Sequence, residues 1–124
     1  MNTSISKAAA LEQRFIAFAA RVVDLSVKLP ANPQGRHICR QILRSGTATA
    51  ANYGEARGAE SRSDFVHKLG IVLKELNETA IWLELIAKTS LLPKEEIVAI
   101  VAENRELSRI ITASIKTSRG SAHV

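Results

Sequence analysis

The spacing of apolar residues constrains this chain more than any other feature, because they recur at alternating intervals of four and three along several long segments. In the first segment, from about Ala8 to Leu29, the pattern comprises Leu11, Phe15, Phe18, Val22, Leu25 and Leu29. An α-helix turns once in about 3.6 residues, so these side chains fall on one stripe of one helix. No stretch alternates with a period of two for long enough to predict a strand. The pattern therefore predicts an all-α protein.

Three more segments show the same periodicity, from about Gly35 to Gly58, from about Arg62 to Thr89, and from near Pro93 onward. Their predicted buried stripes are Cys39, Leu43, Gly46, Ala50 and Tyr53; Phe65, Leu69, Val72, Leu76, Leu83 and Ile86; and Ile97, Ile100, Leu107 and Ile111. Short connections place consecutive helices antiparallel. We therefore predict a single domain over residues 1–124, an antiparallel up-down-up-down four-helix bundle. Roughly seven N-terminal and six C-terminal residues are expected to fray.

The second segment is rich in small residues and carries a glycine, Gly46, near its middle. Glycine inside a helix costs about 1 kcal/mol relative to alanine. That cost predicts that a neighbouring backbone or a bulky side chain comes close to the helix at Gly46. A kink or a break in the helix at this point is the alternative.

Apolar residues also lie outside the predicted buried stripes. Ile16, Ala19, Val23 and Val27 widen the stripe of the first segment, and Trp82 and Leu85 lie beside the stripe of the third. A second apolar face needs a partner, or else it leaves an exposed patch. These residues therefore predict self-association into a homo-oligomer. The alternative is that a generously packed four-helix core absorbs them.

Basic residues exceed acidic ones, 17 to 12, which gives a formal net charge of +5 and favours anionic partners. Part of this charge forms a basic stripe in the second segment, at Arg36, Arg40 and Arg44, which Arg57 and Arg62 continue. No acidic residue interrupts the stretch from Gly35 to Gly54. Arginine side chains suit paired contacts with phosphate, so the five arginines are candidates for binding RNA or DNA without sequence preference. The alternative is that they pair with Asp or Glu across a helix or subunit interface.

Several polar residues are candidates for burial within the helical segments: Asn52, Glu55, Glu75 and Asn77, and Asn104, which falls on the stripe of the fourth segment. Buried polar residues often fix the register of a bundle or close a hydrogen-bond network, and we expect that structural role here, with Asn52, Glu55, Glu75 and Trp82 as the main candidates for packing and assembly. A catalytic role has little support, because no base, nucleophile or metal ligand lies beside the carboxylates. Asp64 and His67 form one imperfect metal-binding pair, so no metal site and no cofactor are expected.

Cys39 is the single cysteine and lies on an apolar stripe, which is typical of a buried thiol in a reducing compartment. The N-terminal residues lack the pattern of a secretory signal. No apolar run approaches the roughly 20 residues that span a bilayer. A cytoplasmic protein with no membrane partner is therefore expected.

The stretch from Arg40 to Arg57, RQILRSGTATAANYGEAR, resembles the four helix bundle protein family, also called the 23S ribosomal RNA intervening-sequence protein family. The matching positions are Gln41, Leu43, Arg44, Ser45, Ala51, Asn52 and Glu55, followed by Asp64, Phe65, Leu69, Leu73, Leu76, Trp82 and Leu83. The resemblance covers about residues 11 to 116. It implies a homopentamer around a central channel and no enzymatic activity. Tyr53 and Gly54 depart from the family pattern, as does Ala56.

Two functions follow as expectations. The first is a non-catalytic, homo-oligomeric scaffold or adaptor, a pentamer by resemblance, that binds RNA or DNA through its basic surface. The alternative is a protein-interaction module that binds an unknown protein partner and has no nucleic-acid role.

Overall fold

The computed structural model describes residues 5–120 and contains, within them, four α-helices and no strand. The helices are α1 (Lys7–Val27), α2 (Pro33–Arg57), α3 (Arg62–Lys88) and α4 (Val98–Gly120). Helix α1 packs against α2 and α4, and α3 packs against the same two helices, so α1 and α3 lie on a diagonal. Short connections join these neighbours. The prediction of an all-α, antiparallel four-helix bundle is confirmed.

Local capping explains where the first three helices begin. The side chains of Ser6, Asn32 and Ser61 each accept a hydrogen bond from a backbone N–H in the first turn of the following helix. Such caps satisfy amide groups that have no partner within the helix. At α3, the carboxylate of Asp64 also accepts from the backbone N–H of Glu60, at 3.4 Å.

Two helix ends differ from the prediction. Pro93 does not begin α4: its backbone is extended, and a single 3₁₀ turn, Lys94–Glu96, separates it from the start of α4 at Val98. At the other end, α4 runs to Gly120, so the first two of the six C-terminal residues expected to fray, Arg119 and Gly120, are helical. Helix α1 begins at Lys7, within the segment expected to fray. The rest of the predicted frayed ends, residues 1–4 and 121–124, lies outside the described residues.

The predicted buried stripes of α1, α3 and α4 form most of the core. The fully or largely buried members are Phe15, Phe18, Val22, Leu25, Leu29, Leu69, Val72, Leu76, Leu83, Ile86, Ile97, Ile100, Leu107 and Ile111. Leu11 and Phe65 are only partly buried and pack on the edge of this cluster. Thr79 and Asn104 occupy two further buried positions.

The predicted stripe of α2 was right at Gly46 and Tyr53, which are buried, and wrong by one residue at its other three positions. Cys39, Leu43 and Ala50 lie at the edge of the core and are half-buried. The residues that face inward are Ile38, Ile42, Ser45, Gly46, Thr49, Tyr53 and Ala56. Two of these carry hydroxyl groups that find hydrogen-bond partners inside the bundle, so the buried face need not be apolar.

Close approach at Gly46 is confirmed, and α2 continues through it without a break. A Cβ atom added to Gly46 would lie 2.6 Å from Cγ1 and 2.8 Å from Cγ2 of Val22 on α1. Carbon atoms pack best at about 3.5–4.0 Å, so no larger residue fits here without a shift of the helices. The absence of a side chain at Gly46 therefore allows α1 and α2 to pack this closely.

Candidate nucleic-acid and assembly surfaces

The structure divides the basic stripe of α2 into arginines with ion-pair partners and arginines without them. Arg44 bonds the carboxylates of Glu75, at 3.5 Å, and Glu78 on the neighbouring helix α3. Arg36 donates to the carbonyl oxygen of Ala31, at 2.9 Å. Arg40 is exposed and forms no ion pair with any residue in the described part of the chain.

Arg57 and Arg62, which continue the basic stripe, also differ in whether they have an ion-pair partner. Arg57 pairs with Glu12 on α1, at 2.5 Å between Nη1 and Oε1. Arg62, at the start of α3, is exposed and has no ion-pair partner between residues 5 and 120. At Arg44 and Arg57 the structure thus shows the alternative to phosphate binding, pairing across helices within one bundle. A role of these five residues in nucleic-acid binding stays a prediction.

Charge and hydrogen bonding shape the α2–α3 surface around Arg44. The hydrogen bond from Arg44, followed by one from Nε1 of Trp82 at 3.1 Å, holds the pKa of Glu78 below its ordinary value. The same contact to Glu78 raises the pKa of Arg44. The ring of Trp82 also meets His37 edge-on, with centroids 5.9 Å apart. Trp82 is half-buried, and both its ring N–H and its ring face the same bundle, through Glu78 and His37.

The polar residues expected in the interior take different positions. Glu55 is exposed and pairs with Lys68, at 2.9 Å, so its expected burial was wrong. Asn52 is half-buried and donates to the carbonyl oxygen of Ala48 in its own helix, at 2.8 Å. Glu75 is half-buried against Arg44. Glu55 and Glu75 thus each bond across α2 and α3, and Glu75 shares Arg44 with Glu78, whereas Asn52 bonds only within its own helix.

Buried hydroxyl groups were missed by the sequence analysis. Ser45 on α2 and Thr79 on α3 are fully buried, and their oxygen atoms lie 2.8 Å apart. A signal did exist: Thr79 fills the gap in the four-three spacing between Leu76 and Leu83. Serine and threonine were not counted as core residues, although a paired hydroxyl is tolerated there.

Exposed apolar residues form two faces on the described part of the bundle, one on α1 and one on α3, apart from the single residues Ile5 and Val98. The α1 face comprises Ile16, Ala20, Val23 and Val27, with 47%, 41% and 79% of Ile16, Val23 and Val27 exposed. The α3 face comprises Ile81 and Leu85, 57% and 40% exposed. Of the additional apolar residues, the core thus leaves Ile16, Val23, Val27 and Leu85 exposed, whereas Ala19 and Trp82 are half-buried. Because α1 and α3 lie on a diagonal, the two faces are separate surfaces at two corners of the bundle.

No three His, Cys, Asp or Glu side chains among the described residues group together as metal ligands would. Cys39 carries a free, half-buried thiol. Within residues 5–120, no helix has both the length and the apolar character needed to cross a membrane.

The fold and these surfaces define a small helical bundle protein with unpartnered apolar faces. The chain belongs to the 23S rRNA-intervening sequence protein family, whose family model matches residues 8–113. It is similar to a crystal structure from Bacteroides thetaiotaomicron, a protein of unknown function from the S23 ribosomal protein family. The two chains are 39% identical with a TM-score of 0.80, and the similarity covers 85% of this chain and 97% of the other. No curated protein matches this chain significantly.

Proposed function

We propose that this protein is a non-catalytic helical scaffold whose copies assemble head to tail, with the α1 face of one copy against the α3 face of the next. The two exposed apolar faces carry this proposal. Val27 and Ile81 expose most of their side chains to water in a single copy. Burial of apolar surface is the main favourable term in protein association, so a partner that covers both faces would be stabilising.

The position of the faces supports a head-to-tail arrangement. A contact between two different patches can repeat from copy to copy, and it gives a ring when the rotation closes. A twofold dimer would instead use one self-complementary patch and leave the other face exposed. The pentamer that the family resemblance implies is one closed form of the head-to-tail contact.

Mixing two interface variants tests the arrangement. In Ile16→Glu/Val27→Glu the α1 face is charged, and in Ile81→Glu the α3 face is charged. Each variant alone should be monomeric by light scattering, because each lacks one half of the contact. Mixed in equal amounts, they should form a one-to-one heterodimer through the two intact faces. Ala17→Glu is the matched control, since Ala17 is exposed on α1 but outside the α1 face, and it should assemble like the wild type.

Three results would contradict the proposal. A wild-type protein that stays monomeric at high concentration would remove self-association altogether. An Ile81→Glu variant that still assembles would show that copies meet through a surface other than the α3 face. Two variants that remain monomeric after mixing would exclude the contact between α1 and α3 faces.

Nucleic-acid binding is the second candidate function, and the unpaired arginines favour it. Arg40 and Arg62 are exposed with no ion-pair partner in the described chain, and Arg36 contacts only a carbonyl oxygen. In a ring, the basic surface of each copy would add to that of its neighbours, which strengthens attraction to phosphate. Binding of this kind should be independent of sequence and should weaken steeply with salt.

A gel-shift titration with unrelated RNA and DNA at low salt tests this second function. Replacing Arg36, Arg40 and Arg62 with glutamine should weaken binding to all sequences alike and reduce its salt dependence. Replacing Lys7, Lys74 and Lys116 with glutamine removes the same charge elsewhere and should have a smaller effect. Absence of any gel shift would leave the protein-interaction module, with an unknown protein partner, as the function to pursue.

A further inference from the structure

A groove of about 630 Å³ between α3 and α4 has the composition of a small-molecule site. Small apolar side chains line part of it: Ala80, Leu83, Ala87 and Val101. Its volume falls within the range of about 300–1,000 Å³ that is typical of ligand pockets. Neither Ile81 nor Leu85 lines it, so the groove is distinct from the α3 face.

Asn104, which also lines the groove, is the one polar side chain of the described core with an unsatisfied atom. It is only 3% exposed, yet its Nδ2 has no hydrogen-bond partner in the structure. The other buried polar side chains, Ser26, Ser45, Thr49 and Thr79, all form hydrogen bonds. Leaving a buried donor unpaired is unfavourable, and it indicates a partner that the chain itself does not supply.

The charges around the groove indicate the sign of that partner. Lys88, Lys94 and Arg105 line it together with a single acidic residue, Glu84. None of these four forms an ion pair with residues 5–120, whereas seven ion pairs form elsewhere on the same part of the chain. Three cations beside an aliphatic wall favour a ligand that is negatively charged at one end and apolar at the other.

We propose that this groove binds a small amphipathic anion, with an oxyanion headgroup and a short aliphatic body. The headgroup accepts a hydrogen bond from the amide of Asn104 and lies among Lys88, Lys94 and Arg105. Nδ2 is the buried atom of the amide in the structure, and a half-turn exchanges it with Oδ1 and turns the donor toward the groove. The buried position then holds an unpaired acceptor, which proteins tolerate better than an unpaired donor. The aliphatic body covers Leu83 and its apolar neighbours. A carboxylate and a phosphate monoester share this chemistry.

Hexanoate is the probe for the carboxylate, hexyl phosphate for the phosphate monoester, and hexylammonium for the same body with the opposite charge. Each is titrated into the full-length protein labelled with ¹⁵N. The side-chain amide signals of Asn104 should move downfield with hexanoate or with hexyl phosphate, and the stronger of the two responses identifies the headgroup. Hexylammonium should leave these signals unchanged, because the surrounding cations repel it.

Substitutions locate the contacts. Asn104→Leu keeps the size of the side chain and removes the amide, and it should weaken binding of the anion about tenfold or more, as expected for loss of a charge-assisted hydrogen bond. Lys88→Gln should weaken binding about threefold, in line with one partly screened charge. The matched control is Lys74→Gln on the same helix, which removes an equal charge outside the groove and should leave affinity unchanged.

Three outcomes would overturn the proposal. The first is that neither anion shifts the Asn104 amide signals at any concentration tested. The second is that hexylammonium shifts them as strongly as the anions do. The third is that Asn104→Leu binds the anion as well as the wild type does. The measurement on the wild-type amide needs no variant, so the proposal is tested even if a substitution perturbs the fold. It is also independent of assembly through the α1 and α3 faces.

Discussion

The bundle is built differently on its two sides, and the contrast between α2 and α4 shows how. Around α2 the helices approach closely: the side chain of Val22 on α1 packs against Gly46, and the hydroxyl of Ser45 bonds that of Thr79 on α3. Between α3 and α4, grooves of about 630 and 680 Å³ separate parts of the two helices. There the buried polar residue, Asn104, has an atom without a partner.

Small residues and hydrogen-bonded polar groups occur on the same helix, α2. Where α2 presents glycine and hydroxyl groups, the backbones come close enough for side-chain oxygen atoms to meet across helices. On α4 the buried residues are large and aliphatic apart from Asn104, α4 approaches its neighbours at fewer places than α2 does, and Nδ2 of Asn104 reaches no acceptor. Close packing therefore stabilises the α2 side, and the α4 side retains space for another molecule.

The largest expected effect comes from breaking the close approach at Gly46. Gly46→Leu should lower the free energy of unfolding by about 3 kcal/mol, because overpacking a tight contact forces the helices apart. Gly70→Leu is the matched control: nothing lies within 4 Å of a Cβ at Gly70, so the substitution should be stabilising through helix propensity. Denaturant unfolding of both variants measures the difference.

A double-mutant cycle shows whether Val22 causes the effect. Gly46→Ala and Val22→Ala should each destabilise the bundle, and the combined variant should lose less than the sum, because the smaller side chain at position 22 makes room for the new methyl group. Strict additivity of the two changes would mean that the contact between α1 and α2 is not what requires glycine.

The next largest effect should be a gain in stability on the α4 side. Asn104→Leu removes a buried amide whose Nδ2 has no partner, and it should raise the free energy of unfolding by about 1–2 kcal/mol. Asn77→Leu, at an exposed position of α3, is the control and should change stability little. A loss of stability in Asn104→Leu would show that the amide is satisfied in solution, so that α4, like α2, pairs its buried polar group.

A smaller effect is expected at the hydroxyl pair. Thr79→Val leaves the buried hydroxyl of Ser45 without its partner and should cost about 1 kcal/mol of unfolding free energy. Thr47→Val is the control, since the hydroxyl of Thr47 bonds only carbonyl groups of its own helix. Equal losses for the two variants would mean that the bond between α2 and α3 adds nothing.

The sequence predicted the helices with regular apolar spacing better than the helix with small residues. On α1, α3 and α4, the four-three pattern coincides with burial because large side chains need the core. On α2 the buried face is marked by Ser45, Gly46 and Thr49, which carry little hydrophobic signal. The close approach at Gly46 was still predictable, because an interior glycine is unfavourable unless the space is needed.

The candidate sites were harder to predict, because they depend on which helices become neighbours. The spacing of Arg36, Arg40 and Arg44 was visible in the sequence, but the carboxylates that face Arg44 come from α3, more than 30 residues away. The burial of Asn104 was expected from its position on the stripe, whereas its lack of a partner depends on the distance between α3 and α4. Periodicity in the sequence predicts the helix face on which a residue lies, whereas tertiary packing determines which side chains of other helices contact it.

The smallest effect concerns the ion pair that links the surfaces of α2 and α3. The pKa of Glu78 is below its ordinary value of 4.5, chiefly through the hydrogen bond from Arg44, so its ionised form stabilises the folded state. This contribution is complete above the pKa of the unfolded chain and is lost as the pH falls through the lower folded-state pKa. Glu78→Gln should therefore lower the melting temperature at pH 7 by about 2 °C, the scale of a partly exposed pair. The difference from the wild type should shrink as the pH falls below 4.5 and should disappear at an acid pH below the folded-state pKa of Glu78, where position 78 is neutral in both proteins. The control is Glu84→Gln, which removes a carboxylate of α3 that has no ion pair in residues 5–120, and its melting temperature should match that of the wild type at both pH values. If Glu78→Gln instead lowers the melting temperature equally at both pH values, its effect comes from packing against Trp82 rather than from charge.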